Sequence, residues 1–146
     1  MKIALGSDHA GFKLKNLLVE KLQHDGHEVL DLGTYSLDPV DYPDFGEAVG
    51  KAVAAGEADF GVACCGTGIG ISIAANKVKG VRAAVVHDVT SAMLAREHNN
   101  ANVICLGARL LGESVAIDAL DAFMAADFEG GRHEQRIAKL TALDEA

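Results

Sequence analysis

Residues Asp59–Lys77 read DFGVACCGTGIGISIAANK. An apolar run ends in two adjacent cysteines, crosses a turn with glycine at 66, 68 and 70, and resumes as small apolar residues. That order is a buried strand, a tight glycine turn and the start of a helix. Side chains along a strand alternate between its faces, so Cys64 and Cys65 cannot share one task. Cys64 continues the face of Phe60 and Val62 and is a small core residue. Cys65 is expected to leave the sheet at the turn, where helix-start amides favour a thiolate and make it a candidate for chemistry.

The turn fails both familiar nucleotide motifs. A G-x-G-x-x-G fingerprint built on Gly66 and Gly68 needs a third glycine where Ile71 stands, and no Gly-Lys-Ser/Thr follows. A glycine turn feeding free amides into a helix start remains, which is a cradle for phosphate, carboxylate or a developing oxyanion. Glycine turns also simply let a strand and a helix approach closely, so this signal is weak alone.

The same alternation extends in both directions. Strands are expected at Lys2–Gly6, His27–Leu32, Asp59–Cys64, Val81–Val86 and Val103–Leu106. Helices are expected from a cap at Asp8 as far as Gly26, then over Asp44–Ala55, Ile69–Lys77, Asp88–His98, Glu113–Ala126 and Arg132–Leu143. Between them, Gly33–Pro43 holds both prolines and reads as an irregular loop. Strands alternating with helices predict an α/β fold: a three-layer α/β/α, Rossmann-like domain on a five-stranded parallel sheet. With no repeat, low-complexity stretch or linker, residues 1–146 form a single domain.

Composition agrees. The 146 residues are 49% hydrophobic but 5% aromatic, so Ala, Val, Ile and Leu must build the core. A net charge of −8 argues against nucleic acid and anionic membranes as partners. Three cysteines, an odd number, with polar Ser7 close behind MKIALG, point to free thiols in the cytoplasm rather than secretion. No apolar run approaches the ~18 residues of a membrane span.

Right-handed crossovers gather every strand's C-terminal end on one edge, where ligands bind in such sheets. That edge collects Asp8 and His9, then Cys65 with Gly66–Gly70, then His87 and finally Arg109. His98 and Asn99 close a helix that returns to the other edge, far from Cys65. A two-fold dimer would bring them to a neighbour's open edge. Arg132 and Arg136 share a helix face and suit a bidentate phosphate clamp, although a surface pair answering Glu129 and Glu134 is the simpler reading of that spacing. His24 and His27 read as surface residues, Cys105 as core, and His87 is left open. No Cys/His spacing suits a metal.

In order, SDHAG at 7–11, DYP at 41–43, CGTGIGISIAANK at 65–77, REHNNANV at 96–103, GAR at 107–109 and GGRHEQR at 130–136 closely resemble the ribose-5-phosphate isomerase B family. Galactose-6-phosphate isomerase subunits and allose-6-phosphate isomerases are grouped with it. The resemblance covers essentially the whole chain. It implies an aldose–ketose isomerase of the pentose phosphate pathway that works through a cis-enediolate without metal or organic cofactor.

By that resemblance Cys65 is the base, Gly66, Thr67, Gly68, Ile69 and Gly70 meet the enediolate, and Thr67 relays a proton. His98 assists furanose opening, Asp8, His9 and Asn99 contact sugar or phosphate, and Arg109, Arg132 and Arg136 clamp phosphate. Isoleucine at 69, where one branch carries glutamate, places the chain in the cysteine-base branch. A homodimer, or a dimer of dimers, is implied, with the active site between subunits. The alternatives are a related phosphosugar isomerase, for allose 6-phosphate or a four-carbon phosphate, and a non-catalytic phosphosugar-binding module.

Overall fold

The computed structural model of the chain describes residues 1–145. Five parallel strands, β1 (Lys2–Ser7), β2 (Glu28–Asp31), β3 (Phe60–Cys65), β4 (Ala83–Val85) and β5 (Val103–Gly107), lie in the order β2-β1-β3-β5-β4. Helices α1 (Phe12–His24), α2 (Tyr42–Ala54), α3 (Ile69–Asn76), α4 (Val89–Glu97), α5 (Glu113–Ala125) and α6 (Glu134–Leu143) alternate with them, and a 3-10 turn, Gly131–His133, precedes α6. None of the helices described is long and apolar enough to cross a membrane.

Alternation along the strands divides the core in two. Ile3 and Leu5 of β1, Val62 and Cys64 of β3, and Ile104 and Leu106 of β5 face α1, α4 and α5. Ala4, Ala63 and Cys65, with Val103 and Cys105, face α2 and α3. This is the expected three-layer arrangement, and complete burial of each Leu or Ile contributes roughly 1.5–3 kcal/mol. Small residues on the second face let α2 and α3 lie close to the sheet.

Several boundaries differ from the sequence reading, each for a local reason. Asp8 does not cap α1. The helix begins after Gly11, and the Asp8 carboxylate instead accepts the Gly11 N–H at 3.0 Å, bracing the turn. Helix α2 starts at Tyr42, with Pro43 inside its first turn, where a missing N–H costs nothing. Edge strand β4 is only three residues long. The Arg82 and Ala83 amides bond to the Asn102 and Asn76 side chains, at 2.7 and 2.8 Å, rather than extending the ladder.

Candidate active site

Cys65 is the last residue of β3, paired with Gly107, and is 4% exposed; it does not leave the sheet as the sequence suggested. The first turn residue to break away is Gly66, whose carbonyl accepts the Arg109 N–H at 2.9 Å. Gly68 takes a left-handed conformation (φ 78°) and caps α3. Its N–H donates to the Cys65 sulfur at 3.1 Å. The Ile69 N–H donates to Thr67 Oγ1 at 3.2 Å. Two of the five cradle amides are thus already engaged, one on the candidate base and one on the candidate relay.

The other thiols are set apart by burial. Desolvation, followed by neighbouring Cys65, pushes Cys64 far above the ordinary thiol range. Burial does the same to Cys105. Cys65 faces a cleft of about 460 Å³ walled by Tyr42, Thr67, Ile69, Ile73 and Arg109. A volume of that order holds a small phosphorylated metabolite. The Arg109 side chain lies over Gly66, where an added Cβ would meet its Cδ and Nε at 3.4 Å.

Asp8 and His9 follow β1 at the same edge. Asp8 is buried and its N–H reaches the Cys64 carbonyl at 3.3 Å. His9 Nδ1 accepts the Val40 N–H at 3.1 Å. Strands β1 and β3 are neighbours that cross over to opposite sheet faces, the point at which open α/β sheets open a crevice.

His98 and Asn99 lie elsewhere. Helix α4 leaves the Cys65 edge after β4 and runs back for nine residues, about 13 Å at ~1.5 Å per residue. There Asn102 accepts the Gly61 N–H through its carbonyl at 2.9 Å, near the start of β3. Within one chain, Cys65 and His98 are therefore on opposite edges.

A second group of cations and imidazoles surrounds His98. Its ring stacks on buried His133, with centroids 4.3 Å apart. Arg132 sits in the 3-10 turn, not in the α-helix expected for it, and its Nε donates to His133 Nε2 at 3.5 Å. Arg136 follows in the first turns of α6. The Glu129 N–H bonds to the Glu97 carbonyl at 3.0 Å, tying this segment to the end of α4. Burial, then a hydrogen bond with Glu129, raises the Glu97 carboxyl above its ordinary range.

Two arginines that the sequence reading passed over hold the His98 turn. Asn100 has φ 47°; its carbonyl accepts from Arg82 Nε at 2.8 Å and its side chain from Arg96 Nη1 at 3.0 Å. Arg96 also reaches the Ala101 carbonyl at 2.7 Å, and its guanidinium lies over the Phe60 and Phe123 rings. Burial holds both guanidiniums below the usual arginine range. For Arg96 the sequence signal was available: an arginine on a helix four residues before the second asparagine of an Asn-Asn helix stop.

A cluster of donor groups distant in sequence also forms here. Donor atoms of His98, Glu129 and His133 lie within 4.8 Å of one another. The rings are stacked 17° from parallel, which sets their lone pairs side by side rather than converging on one point. Coordination would require the rings to separate.

The family model described as Ribose/Galactose Isomerase matches residues 3–140. The chain belongs to that family. It is 49% identical over 144 residues to ribose-5-phosphate isomerase B of Escherichia coli, covering 99% of this chain and 97% of that protein. It is 46% identical to galactose-6-phosphate isomerase subunit LacB of Clostridium acetobutylicum, covering 95% and 80%. Among solved structures, ribose-5-phosphate isomerase B of Clostridium thermocellum superposes with a TM-score of 0.98 at 49% identity, covering 99% and 98%. The Mycoplasma genitalium enzyme with bound ribulose-5-phosphate superposes at 0.95 with 44% identity, covering 99% and 96%.

Proposed function

We propose that the chain is an aldose–ketose isomerase that interconverts ribose 5-phosphate and ribulose 5-phosphate through a cis-enediolate. The observation that carries this reading is the Cys65 sulfur at the wall of a small open cleft, with an amide donor at 3.1 Å and Arg109 lining the same cleft. Cys65 takes the proton from C2 of the open aldose and returns it to C1. The Thr67 hydroxyl moves the matching proton between the two oxygens. Charge on the enediolate is met by those main-chain amides of Gly66–Gly70 that are not bonded to Cys65 or Thr67, in a turn held rigid by its bonds to residues 107–109.

Asp8 and His9 contact sugar or phosphate, and Arg109 meets the phosphate. His98 protonates the furanose ring oxygen, Asn99 contacts the sugar, and Arg132 and Arg136 complete the phosphate clamp. Because Cys65 and His98 lie on opposite edges of one chain, these two groups come from different chains of a homodimer or a dimer of dimers. The activity belongs to a cytoplasmic pentose phosphate pathway.

A kcat/KM series on four-, five- and six-carbon aldose phosphates tests the reading. Ribose 5-phosphate is expected to give the highest value. A higher value for allose 6-phosphate or galactose 6-phosphate would reassign the substrate, and absence of turnover on all of them would remove the isomerase assignment.

A further inference from the structure

The segment from Gly33 to Asp41 crosses the ligand edge between β2 and α2, and it is fastened at both ends. At its start the Gly33 carbonyl accepts the Ser7 N–H at 2.7 Å, and the Thr34 N–H returns to the Ser7 carbonyl at 2.8 Å. Beneath it the fully buried Lys15 ammonium bonds both oxygens of Asp31 at 2.7 and 2.9 Å. Asp31 also takes the Gly33 N–H at 3.0 Å and, through its carbonyl, the Tyr35 hydroxyl at 2.9 Å. The crest, Ser36–Pro39, is exposed. At the far end the Val40 N–H donates to His9 Nδ1, and the Tyr42 ring packs on Gly70, where a Cβ would lie 2.6 Å from it.

An imidazole nitrogen that accepts from an amide presents its lone pair there and carries no proton. The single proton of the neutral ring then sits on Nε2. A phosphate group and a deprotonated sugar oxygen are acceptors, so only the Nε2–H tautomer offers them a donor from this ring. In the other tautomer His9 would set a lone pair against the ligand and an N–H against the Val40 amide.

We infer that the Val40 main-chain amide is a positioning group for substrate binding, which fixes His9 in the Nε2–H tautomer and so links the 33–41 loop to recognition of the phosphosugar. The inference rests on the proposed contact between His9 and substrate. It assigns the loop a task that involves no side chain of its crest. Sequence changes at Ser36–Pro39 are tolerated so long as the Val40 amide stays in place.

The test is long-range proton–nitrogen NMR on histidine-labelled protein, recorded above the range in which imidazoles take a second proton, with steady-state kinetics alongside. Wild type is expected to show His9 with a bare Nδ1 and a protonated Nε2. Val40→Ala, which keeps the amide, is expected to give the same spectrum. Val40→Pro, which lacks the N–H, is expected to give a mixture of tautomers and to raise KM for ribose 5-phosphate about tenfold with little change in kcat. Should that variant not fold, replacing the Val40 amide by an ester removes the same proton while keeping the side chain. A protonated Nδ1 in wild type overturns the inference, as does an unchanged KM in a variant whose tautomer has shifted. The spectrum does not depend on turnover. An inactive wild type with the expected spectrum would therefore remove the isomerase reading and leave the tautomer assignment standing.

Discussion

The imidazoles of His98 and His133 lie face to face, 4.3 Å between centroids and 17° from parallel, although one closes α4 and the other follows Gly131. His133 is nearly enclosed, and desolvation first, then His98 and Arg132, holds it below the ordinary histidine range. A histidine depressed in the folded chain takes its proton more readily when unfolded. Its linkage therefore favours unfolding as pH drops below the unfolded value of about 6.5, and favours the fold above it. Urea-unfolding midpoints measured from about pH 7 down to about pH 5 should fall less steeply in His133→Gln than in wild type. Equal slopes would show that His133 titrates alike in both states.

Cys65→Ala should lower kcat by roughly 10²–10⁴, the range for a lost general base, while inorganic phosphate still binds. Cys64→Ala, on the opposite face, should keep turnover and lose about 1 kcal/mol of stability. Kinetics and calorimetry on the two variants separate the neighbours. An active Cys65→Ala would end the proposed mechanism.

Opposite-edge placement makes a mixing experiment decisive. Cys65→Ala and His98→Gln should each be inactive alone. Unfolded and refolded together, they should recover about a quarter of wild-type activity, because mixed dimers carry one undamaged site. No recovery would mean that both groups act within one chain.

Gly107 is where β5 meets the catalytic turn: a Cβ there would lie 2.6 Å from the Thr67 carbonyl group. Gly107→Ala should push the 66–68 segment outward and move the Gly68 amide off Cys65. A cooperative thermal transition with kcat reduced about tenfold or more is expected, since the Gly68 donor that favours a Cys65 thiolate is displaced together with the neighbouring cradle amides. Wild-type kcat would show that the turn tolerates the shift.

Much of this molecule is legible from local pattern. Alternation separated Cys64 from Cys65 and placed Cys64 in the core, because pleating is a property of consecutive residues, but it did not show that Cys65 stays in the sheet. Helix length and direction likewise placed His98 away from Cys65. What escaped was set by contacts distant in sequence. His133 meets His98 because the Glu129 amide bonds Glu97 at the end of α4 and Gly130 and Gly131, both at positive φ, turn the chain there. Arg82 reaches the Asn100 turn across the sheet edge, and no spacing announces it. Asp8 looked like a cap because Asp commonly is one, but SDHAG spends that carboxylate on its own turn.

Helix α6 carries Arg136 yet buries none of its own residues. If that arginine and its neighbours serve a site on another chain, phosphosugar and subunit contact are thermodynamically linked. Each then strengthens the other by the same factor. Dilution should weaken substrate affinity before it unfolds the chain, and saturating substrate should shift the association equilibrium to lower protein concentration. Subunit concentration becomes a variable in the rate law.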